Sequence, residues 1–150
     1  MAPIAIITVT FSPGEYLGKF LASTPTAASQ GTHVVMVDNG STDGAPEAAE
    51  AQGLAELVYS GGNVGYGAGM NFGARWLREA RANGTVDDEF FVIANPDVVF
   101  QPGAIDKMLE VARENPRAGA VGPRIDEPDG GIYPSARRVP ELGSGIGHAL

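Results

Sequence analysis

Two carboxylates of the chain each stand just after an apolar run, where they could bind a phosphorylated ligand. Asp38 follows residues 34–37, and Asn95-Pro96-Asp97 follows residues 90–94. A glycine-rich segment, residues 61–71, lies between them in the sequence. In an open α/β sheet, ligands bind beyond the carboxyl ends of the strands. The sequence therefore predicts that these segments form one binding site.

The first carboxylate, Asp38, could accept hydrogen bonds from a ring N–H of a pyrimidine or from ribose hydroxyls. The alternative is an Asx turn that caps the following helix, a role open to Asn39, Ser41 and Asp43. We expect both roles to be filled, with Asp43 structural and Asp38 facing the ligand.

The second carboxylate, Asp97, follows a proline that shapes a tight turn at the end of its strand. From this turn Asp97 could hold Mg2+ or Mn2+ against a diphosphate, and the cation would stabilise charge on a departing diphosphate. The alternative is a turn residue that only caps a helix at 102–114. Arg124, Arg137 and Arg138 are candidate clamps for the same diphosphate.

The glycine-rich segment could form an anion site, because glycines let the backbone approach a phosphate and direct N–H groups at it from a helix start. The glycines at 65–73 do not match the dinucleotide fingerprint, and no Gly-Lys-Ser/Thr follows them. A purely steric role for the glycines is the alternative. Asn63 and Asn71 flank them, with amides that could fix the loop or contact a sugar.

The elements that position these residues alternate along the chain. Short apolar runs indicate strands at residues 3–10, 33–38, 57–59, 89–94 and 118–122. Helices are predicted after a cap at Ser12, between Asp43 and Gly53, at 71–81 and at 102–114, and a hairpin joins 124–125 to 132–133. This alternation predicts an α/β fold with a doubly wound, mostly parallel sheet and right-handed crossovers.

Composition limits the function. The chain has 150 residues, enough for one domain, and no cysteine, which excludes a disulfide framework and a thiolate metal site. Its formal net charge of -8 argues against non-specific binding to nucleic acid, which depends on neutralising phosphates. Neither a signal peptide nor an apolar run that could span a bilayer is evident, so we expect a cytoplasmic protein.

Taken together, these motifs resemble glycosyltransferase family 2. The matching pieces are Val9-Thr10-Phe11, residues 37–43 (Val-Asp-Asn-Gly-Ser-Thr-Asp), residues 62–71 (Gly-Asn-Val-Gly-Tyr-Gly-Ala-Gly-Met-Asn) and Asn95-Pro96-Asp97. Their order and spacing span most of the chain, which makes the resemblance far more specific than any one motif.

The resemblance implies a GT-A type, Rossmann-like fold with a C-terminal β-hairpin and a nucleotide-sugar donor. It implies that Thr10, Phe11 and Asp38 hold the nucleoside, with Asp38 on the pyrimidine ring. The residues expected to line the donor site are Asn63, Gly65, Tyr66 and Asn71. Asn95 and Asp97 stand where the family has Asp-x-Asp, so Asp97 matches the aspartate that binds Mg2+ or Mn2+, and Asn95 departs from the first aspartate.

A narrower resemblance points to the rhamnosyltransferase-type branch. Residues 135–140 are similar to a segment of enzymes that transfer L-rhamnose to a polyprenyl-diphosphate-linked N-acetylglucosamine in cell-wall synthesis. The implied donor is dTDP-L-rhamnose, the implied acceptor is a lipid-linked glycan, and the implied location is the inner face of the plasma membrane, with peripheral membrane association.

The family is inverting, and its carboxylate base lies in the acceptor half. No matching acidic motif follows Asp97, so the catalytic base is not assigned. We expect residues 1–124 to form the donor-binding core, and 125–150 to form the hairpin and the start of an acceptor region.

Two other functions stay open. A sugar nucleotidyltransferase shares a similar sheet but usually carries Gly-x-Gly-x-Arg after the first strand, where this chain has residues 10–14 (Thr-Phe-Ser-Pro-Gly). A module that binds nucleotide sugars without turnover is the non-enzymatic alternative.

Overall fold

The structure, a computed structural model, describes residues 1–135 and is built around a parallel sheet. The strands are β1 (Ile4–Thr10), β2 (Thr32–Asp38), β3 (Glu56–Tyr59) and β4 (Phe91–Ile93). They lie in the order β3-β2-β1-β4, and every neighbouring pair is parallel. The carboxyl ends of the strands therefore lie at one edge of the sheet.

Three helices connect these strands, and a fourth helix and a small antiparallel hairpin follow the last strand. The helices are α1 (Glu15–Ser23), α2 (Ala45–Ala51), α3 (Tyr66–Ala82) and α4 (Ala104–Glu114), with a short 3-10 turn at Thr24–Thr26. The hairpin pairs β5 (Ile125–Asp126) with β6 (Ile132–Tyr133). The predicted α/β class, the parallel sheet and the hairpin are confirmed.

Both faces of the two central strands, β1 and β2, are largely buried, which explains why apolar residues occur on both faces and do not alternate with exposed polar ones. Ile4 and Ile6 of β1 pack on one face against α1, α2 and α4. Ala5, Ile7 and Val9 point to the other face and pack with α3. This alternation follows from the two-residue period of a strand, and it produces the doubly wound arrangement that the sequence predicts.

Helix α3 begins at Tyr66, inside the glycine-rich segment, and not at Asn71 as predicted. Two of its glycines face β1. A Cβ atom on Gly73 would stand 2.4 Å from Cγ2 of Ile7, and one on Gly69 would stand 3.0 Å from Cγ2 of Val9. These glycines let the helix lie close to the sheet, so part of the glycine pattern is steric.

Two local predictions are wrong. Residues 118–122 form no strand, because they are largely exposed and pair with no strand among residues 1–135. Ser12 does not cap α1, whose N-cap position is Gly14, with φ 58° and no side-chain hydrogen bond. Instead, the Ser12 hydroxyl accepts a hydrogen bond from the backbone N–H of Thr42 in another loop.

Within residues 1–135 no helix is both long enough and apolar enough to cross a membrane.

Candidate functional site

The candidate site lies at the carboxyl edge of the sheet, where Thr10 and Asp38 are register partners at the ends of β1 and β2. Tyr59 ends β3 beside Asp38. The N–H of Ala94 donates to the carbonyl of Ile7, which carries β4 toward the same edge just before Asn95. The parallel topology thus brings together segments that are far apart in sequence.

Asp38 is buried, with 2% of its surface exposed, and its carboxylate is fully occupied by protein donors. Oδ1 accepts from the hydroxyls of Thr10 (2.9 Å) and Ser41. Oδ2 accepts from the backbone N–H groups of Gly40 and Ser41, both at 3.0 Å. Burial by itself raises the pKa of Asp38, but the hydrogen bonds from Ser41, Thr10 and Gly40 outweigh it and lower the pKa below its ordinary value.

Asn39 joins the end of β2 to the glycine-rich loop. It is 3% exposed, and its Nδ2 donates to the carbonyl of Gly65 at 3.2 Å. The hydroxyl of Ser60 lies 2.8 Å from Asn39 Oδ1, 2.8 Å from the Asp38 carbonyl and 2.7 Å from the Gly62 carbonyl. One hydroxyl donates to one of these acceptors at a time. The loop is therefore held against β2 by buried polar side chains.

The residues predicted to line the donor site on this side lie on the loop and on the start of α3. Asn63 Oδ1 accepts the Gly65 N–H at 3.1 Å, so Asn63 fixes the loop from within. Gly65 has φ 83°, a conformation that favours glycine. Tyr66, the first residue of α3, is 50% exposed. Asn71 lies further along α3 and is also exposed.

A second set of hydrogen bonds joins the loop after β1 to the loop after β2. The N–H of Ser12 donates to Oγ of Ser41 at 2.8 Å, and Oγ of Ser12 accepts from the N–H of Thr42 at 3.0 Å. Oδ2 of Asp43 accepts from the N–H of Gly14 at 2.7 Å, while Oδ1 accepts from Ala45 at the start of α2. Asp43 has the structural role expected from the sequence.

An open cleft of about 260 Å³ lies between the loop after β1 and the turn after β4. The residues that line it are Ser12, Pro13, Tyr16, Asn95, Pro96 and Asp97. Asn95 and Asp97 are exposed, and Phe11, next to the cleft in sequence, is 59% exposed. Polar groups and an exposed aromatic ring therefore stand together at this rim.

The side chains at the cleft limit how a divalent cation could be held there. Residues 1–135 contain no group of three or more His, Asp, Glu or Cys side chains that could hold a metal by themselves. Mg2+ does not need such a cage, because it keeps several waters and binds through one or two carboxylates together with substrate phosphates. The cleft offers one carboxylate, from Asp97, and one amide, from Asn95. These residues could hold Mg2+ together with water and substrate phosphates, but they do not form a metal site by themselves.

The structure thus gathers the predicted residues into two adjoining groups. Asn95 and Asp97 share the cleft. Thr10 and Asp38 end β1 and β2 beside it, and Asn63 and Gly65 lie in the glycine-rich segment that is hydrogen-bonded to the end of β2. Arg124 pairs with Asp126 in the hairpin region, at 2.9 Å, and Arg137 and Arg138 lie outside the described residues.

Sequence reasoning missed three side chains that organise the site. Ser60 directly follows the third strand, which is a signal that could have found it. Ser12 was predicted only as a helix cap, and no role at the site was predicted for Tyr16. Both line the cleft instead.

The fold is shared with solved structures of a longer protein. The crystal structure of S. aureus TarS matches with a TM-score of 0.53 and 17% sequence identity, over 75% of this chain and 20% of that one. The structure of S. aureus TarS 1-349 matches with a TM-score of 0.52 and 17% identity, over 75% of this chain and 32% of that one. At this identity the likeness concerns the fold, which is of the GT-A type.

Curated relatives are more similar in sequence. Proteins from two strains of Mycobacterium tuberculosis, each named N-acetylglucosaminyl-diphospho-decaprenol L-rhamnosyltransferase, are 43% identical to this chain over 150 residues. The alignments cover 98% of this chain and 49% of each relative, so the chain spans about half of their length. The model of glycosyl transferase family 2 matches residues 5–140. The chain belongs to glycosyltransferase family 2.

Proposed function

We propose that this chain is the donor-binding part of an inverting glycosyltransferase that transfers L-rhamnose from dTDP-L-rhamnose to a polyprenyl-diphosphate-linked N-acetylglucosamine. The observation that carries the proposal is the 43% identity, across 98% of the chain, to proteins named for transfer of L-rhamnose to such an acceptor. The rim at the carboxyl edge of the sheet supports it, because nucleotide ligands bind at that edge in open α/β sheets.

The nucleoside is assigned to the rim formed by Thr10, Phe11 and Asp38. Phe11 is the exposed member, so its ring is available to the base, while Thr10 is fully buried and supports Asp38. Contact between Asp38 and the pyrimidine ring stays a prediction. It requires one of the protein donors that now occupy the carboxylate to give way to the ring N–H.

The sugar and the diphosphate are assigned to the cleft and to the glycine-rich loop. Asp97 and Asn95 approach the diphosphate from the turn after β4, while Asn63, Gly65, Tyr66 and Asn71 line the opposite side of the donor. A bound Mg2+ or Mn2+, held by Asp97, supplies positive charge that stabilises the departing diphosphate. With a formal net charge of -8, the chain gains from such a cation when it binds a polyanion.

In the proposed reaction an acceptor hydroxyl attacks the anomeric carbon opposite the nucleotide. The new C–O bond forms as the bond to the diphosphate oxygen breaks, the electron pair leaves with dTDP, and a carboxylate base accepts the hydroxyl proton. Asp97 is the only carboxylate among the described residues that line the cleft, and it is assigned to the metal. We therefore place the base outside the donor core, residues 1–124, in the acceptor-binding part that follows it.

The proposed acceptor indicates where in the cell the reaction takes place. A polyprenyl diphosphate is anchored in the bilayer, so we place the reaction in the cytoplasm at the inner face of the plasma membrane, with the enzyme associated peripherally. Synthesis of a cell-wall polysaccharide is the process that this acceptor indicates.

The proposal is tested by isothermal titration calorimetry of the 150-residue chain with dTDP, UDP and GDP in the presence of Mg2+. We expect dTDP to bind more tightly than UDP or GDP, and dTDP-L-rhamnose to bind at the same site. Failure to bind any of these nucleotides would contradict donor binding.

A transfer assay separates the alternatives. A version extended to the length of the relatives should transfer L-rhamnose to a polyprenyl-diphosphate-linked acceptor. Release of inorganic diphosphate from dTTP and a sugar phosphate would instead identify a nucleotidyltransferase. Nucleotide-sugar binding without transfer by the extended protein would identify a binding module.

A further inference from the structure

Ser12 has an unusual backbone conformation. Its φ is 48°, and it is the one non-glycine residue with positive φ in the described part of the chain. Side chains on L-residues disfavour this region, because Cβ crowds the following carbonyl. Ser12 also precedes Pro13, and the residue before a proline is normally confined to extended conformations. A glycine at this position would avoid much of the first cost, yet the chain has a serine.

The surrounding structure holds Ser12 in this conformation through the loop after β2. Its N–H donates to Ser41 Oγ at 2.8 Å, and its own Oγ accepts from the N–H of Thr42 at 3.0 Å. Two residues further on, the N–H of Gly14 donates to Asp43 Oδ2 at 2.7 Å. Strained backbone persists only where neighbouring groups fix it in this way, and such positions cluster at functional sites.

The hydrogen bonds that hold Ser12 lie beside the candidate site. Ser12 lines the cleft across from Asn95 and Asp97, and it directly follows the exposed Phe11. Ser41, which accepts the Ser12 N–H, in turn donates its hydroxyl to the buried Asp38. The contacts of Ser12 therefore hold the loop after β1 against the loop that follows Asp38, at the cleft that Asp97 also lines.

We propose that Ser12 is a positioning residue for the donor: its hydrogen bonds to Ser41 and Thr42 keep the loop after β1 in the conformation that binds the nucleotide. The inference rests on the proposed function and adds Ser12, which directly follows the matching segment Val9-Thr10-Phe11. Ser12 acts through Phe11 and the width of the cleft, and no contact of its own with the nucleotide is needed.

The variant that separates positioning from stability is Ser12→Gly. Glycine adopts positive φ readily and keeps the N–H that donates to Ser41, but it lacks the hydroxyl that accepts from Thr42. The gain from relieved strain offsets the lost hydrogen bond, so the thermal midpoint should stay within about 4 °C of the wild type. The loop, however, becomes free to leave the binding conformation. If only about a fifth of the molecules keep that conformation, the apparent Kd for dTDP rises about fivefold.

The matched control is Ser29→Gly. Ser29 also lies in an exposed loop and also uses both its N–H and its hydroxyl, in this case toward the carboxylate of Asp106. It precedes β2 and so lies at the amino-terminal ends of the strands, away from the candidate site at their carboxyl ends. Ser29→Gly should leave the Kd for dTDP unchanged.

The experiment measures the Kd for dTDP with Mg2+ by calorimetry and the thermal midpoint of the same samples, for wild type, Ser12→Gly and Ser29→Gly. A roughly fivefold weaker Kd for Ser12→Gly alone, with little change in midpoint, supports the inference. An unchanged Kd would overturn it while leaving the proposed function intact. A midpoint that falls in parallel with affinity would reduce Ser12 to a structural role. Absence of dTDP binding by the wild type would overturn both proposals.

Discussion

The hydroxyl of Thr10 donates a 2.9 Å hydrogen bond to Oδ1 of Asp38 between the last residues of two paired strands. Both residues are buried, with 0% and 2% of their surfaces exposed. A buried carboxylate is costly unless its oxygens are hydrogen-bonded, and this bond is one of those that make the burial of Asp38 tolerable. Buried hydrogen bonds at the ends of β1 and β2 therefore hold the exposed part of the site in place.

Replacing Thr10 by valine should destabilise the protein, because the shape is kept while the donor to a buried carboxylate is lost. We expect Thr10→Val to lower the free energy of unfolding by about 2 kcal/mol. The matched control is Thr8→Val, two residues earlier on the same strand. The Thr8 hydroxyl is buried and has no partner among the described residues, so its removal should be neutral or stabilise by about 1 kcal/mol. Urea unfolding measures both, and equal losses would contradict the account.

The stability that Asp38 contributes should depend on pH. Its pKa is lower in the folded protein, so the charged carboxylate stabilises the fold above the unfolded pKa of about 4, and this contribution is lost as the pH falls through the folded value. The difference in unfolding free energy between wild type and Asp38→Asn should therefore be largest above about pH 5 and shrink toward about pH 3. A difference that stays constant over this range would show that ionisation of Asp38 is irrelevant.

Helix α3 should tolerate a methyl group at one glycine and not at another. At Gly73 a Cβ would stand 2.4 Å from Ile7 Cγ2, so Gly73→Ala should cost about 2 kcal/mol through overpacking. At Gly67, in the same helix, a Cβ would meet nothing within 4 Å. There the higher helix propensity of alanine should stabilise the protein by about 0.5 kcal/mol. Thermal unfolding of the two variants tests the steric role, which fails if Gly73→Ala is as stable as Gly67→Ala.

Asp97 should carry the metal dependence of nucleotide binding. We expect wild type to bind dTDP about tenfold more tightly with Mg2+ or Mn2+ than with chelator, and Asp97→Ala to bind equally in both conditions. Asp88→Ala is the control. Asp88 is an exposed carboxylate just before β4, so it lies at the amino-terminal ends of the strands, away from the candidate site. A metal effect that persists in Asp97→Ala would reject the assignment.

The sheet could be predicted from sequence because its central strands are buried on both faces. Residues 3–10 and 33–38 are rich in apolar and β-branched residues over the length of a strand, and the structure has Ile4–Thr10 and Thr32–Asp38. The prediction of a strand at 118–122 was wrong. Its small residues and glycines bury little surface, and they pair with no strand within the described part of the chain.

The loops were harder to predict, because their conformations depend on contacts between distant residues. The pattern Ser12-Pro13 is typical of a helix start, yet Ser12 bonds to Ser41 and Thr42, about thirty residues away. The helix after the glycine-rich segment was predicted to begin at Asn71, but it begins at Tyr66, so about half of the segment is helical. The close approach of Gly69 and Gly73 to β1, which local sequence does not reveal, explains why glycines lie in this helix.

Asp38 illustrates the same limit for the site. Its position after a strand correctly placed it at the carboxyl edge of the sheet. Local sequence could not reveal that its four hydrogen bonds come partly from Thr10, on the neighbouring strand, and partly from the turn that follows it.

Donor binding at the carboxyl ends of the strands is tested most directly by a crystal structure of the chain soaked with dTDP and Mn2+, whose anomalous signal locates the cation. We expect a nucleotide across the carboxyl ends of the strands, with the base beside Phe11 and the cation between the diphosphate and Asp97. A nucleotide bound away from these ends, or a cation that does not contact Asp97, would contradict this expectation.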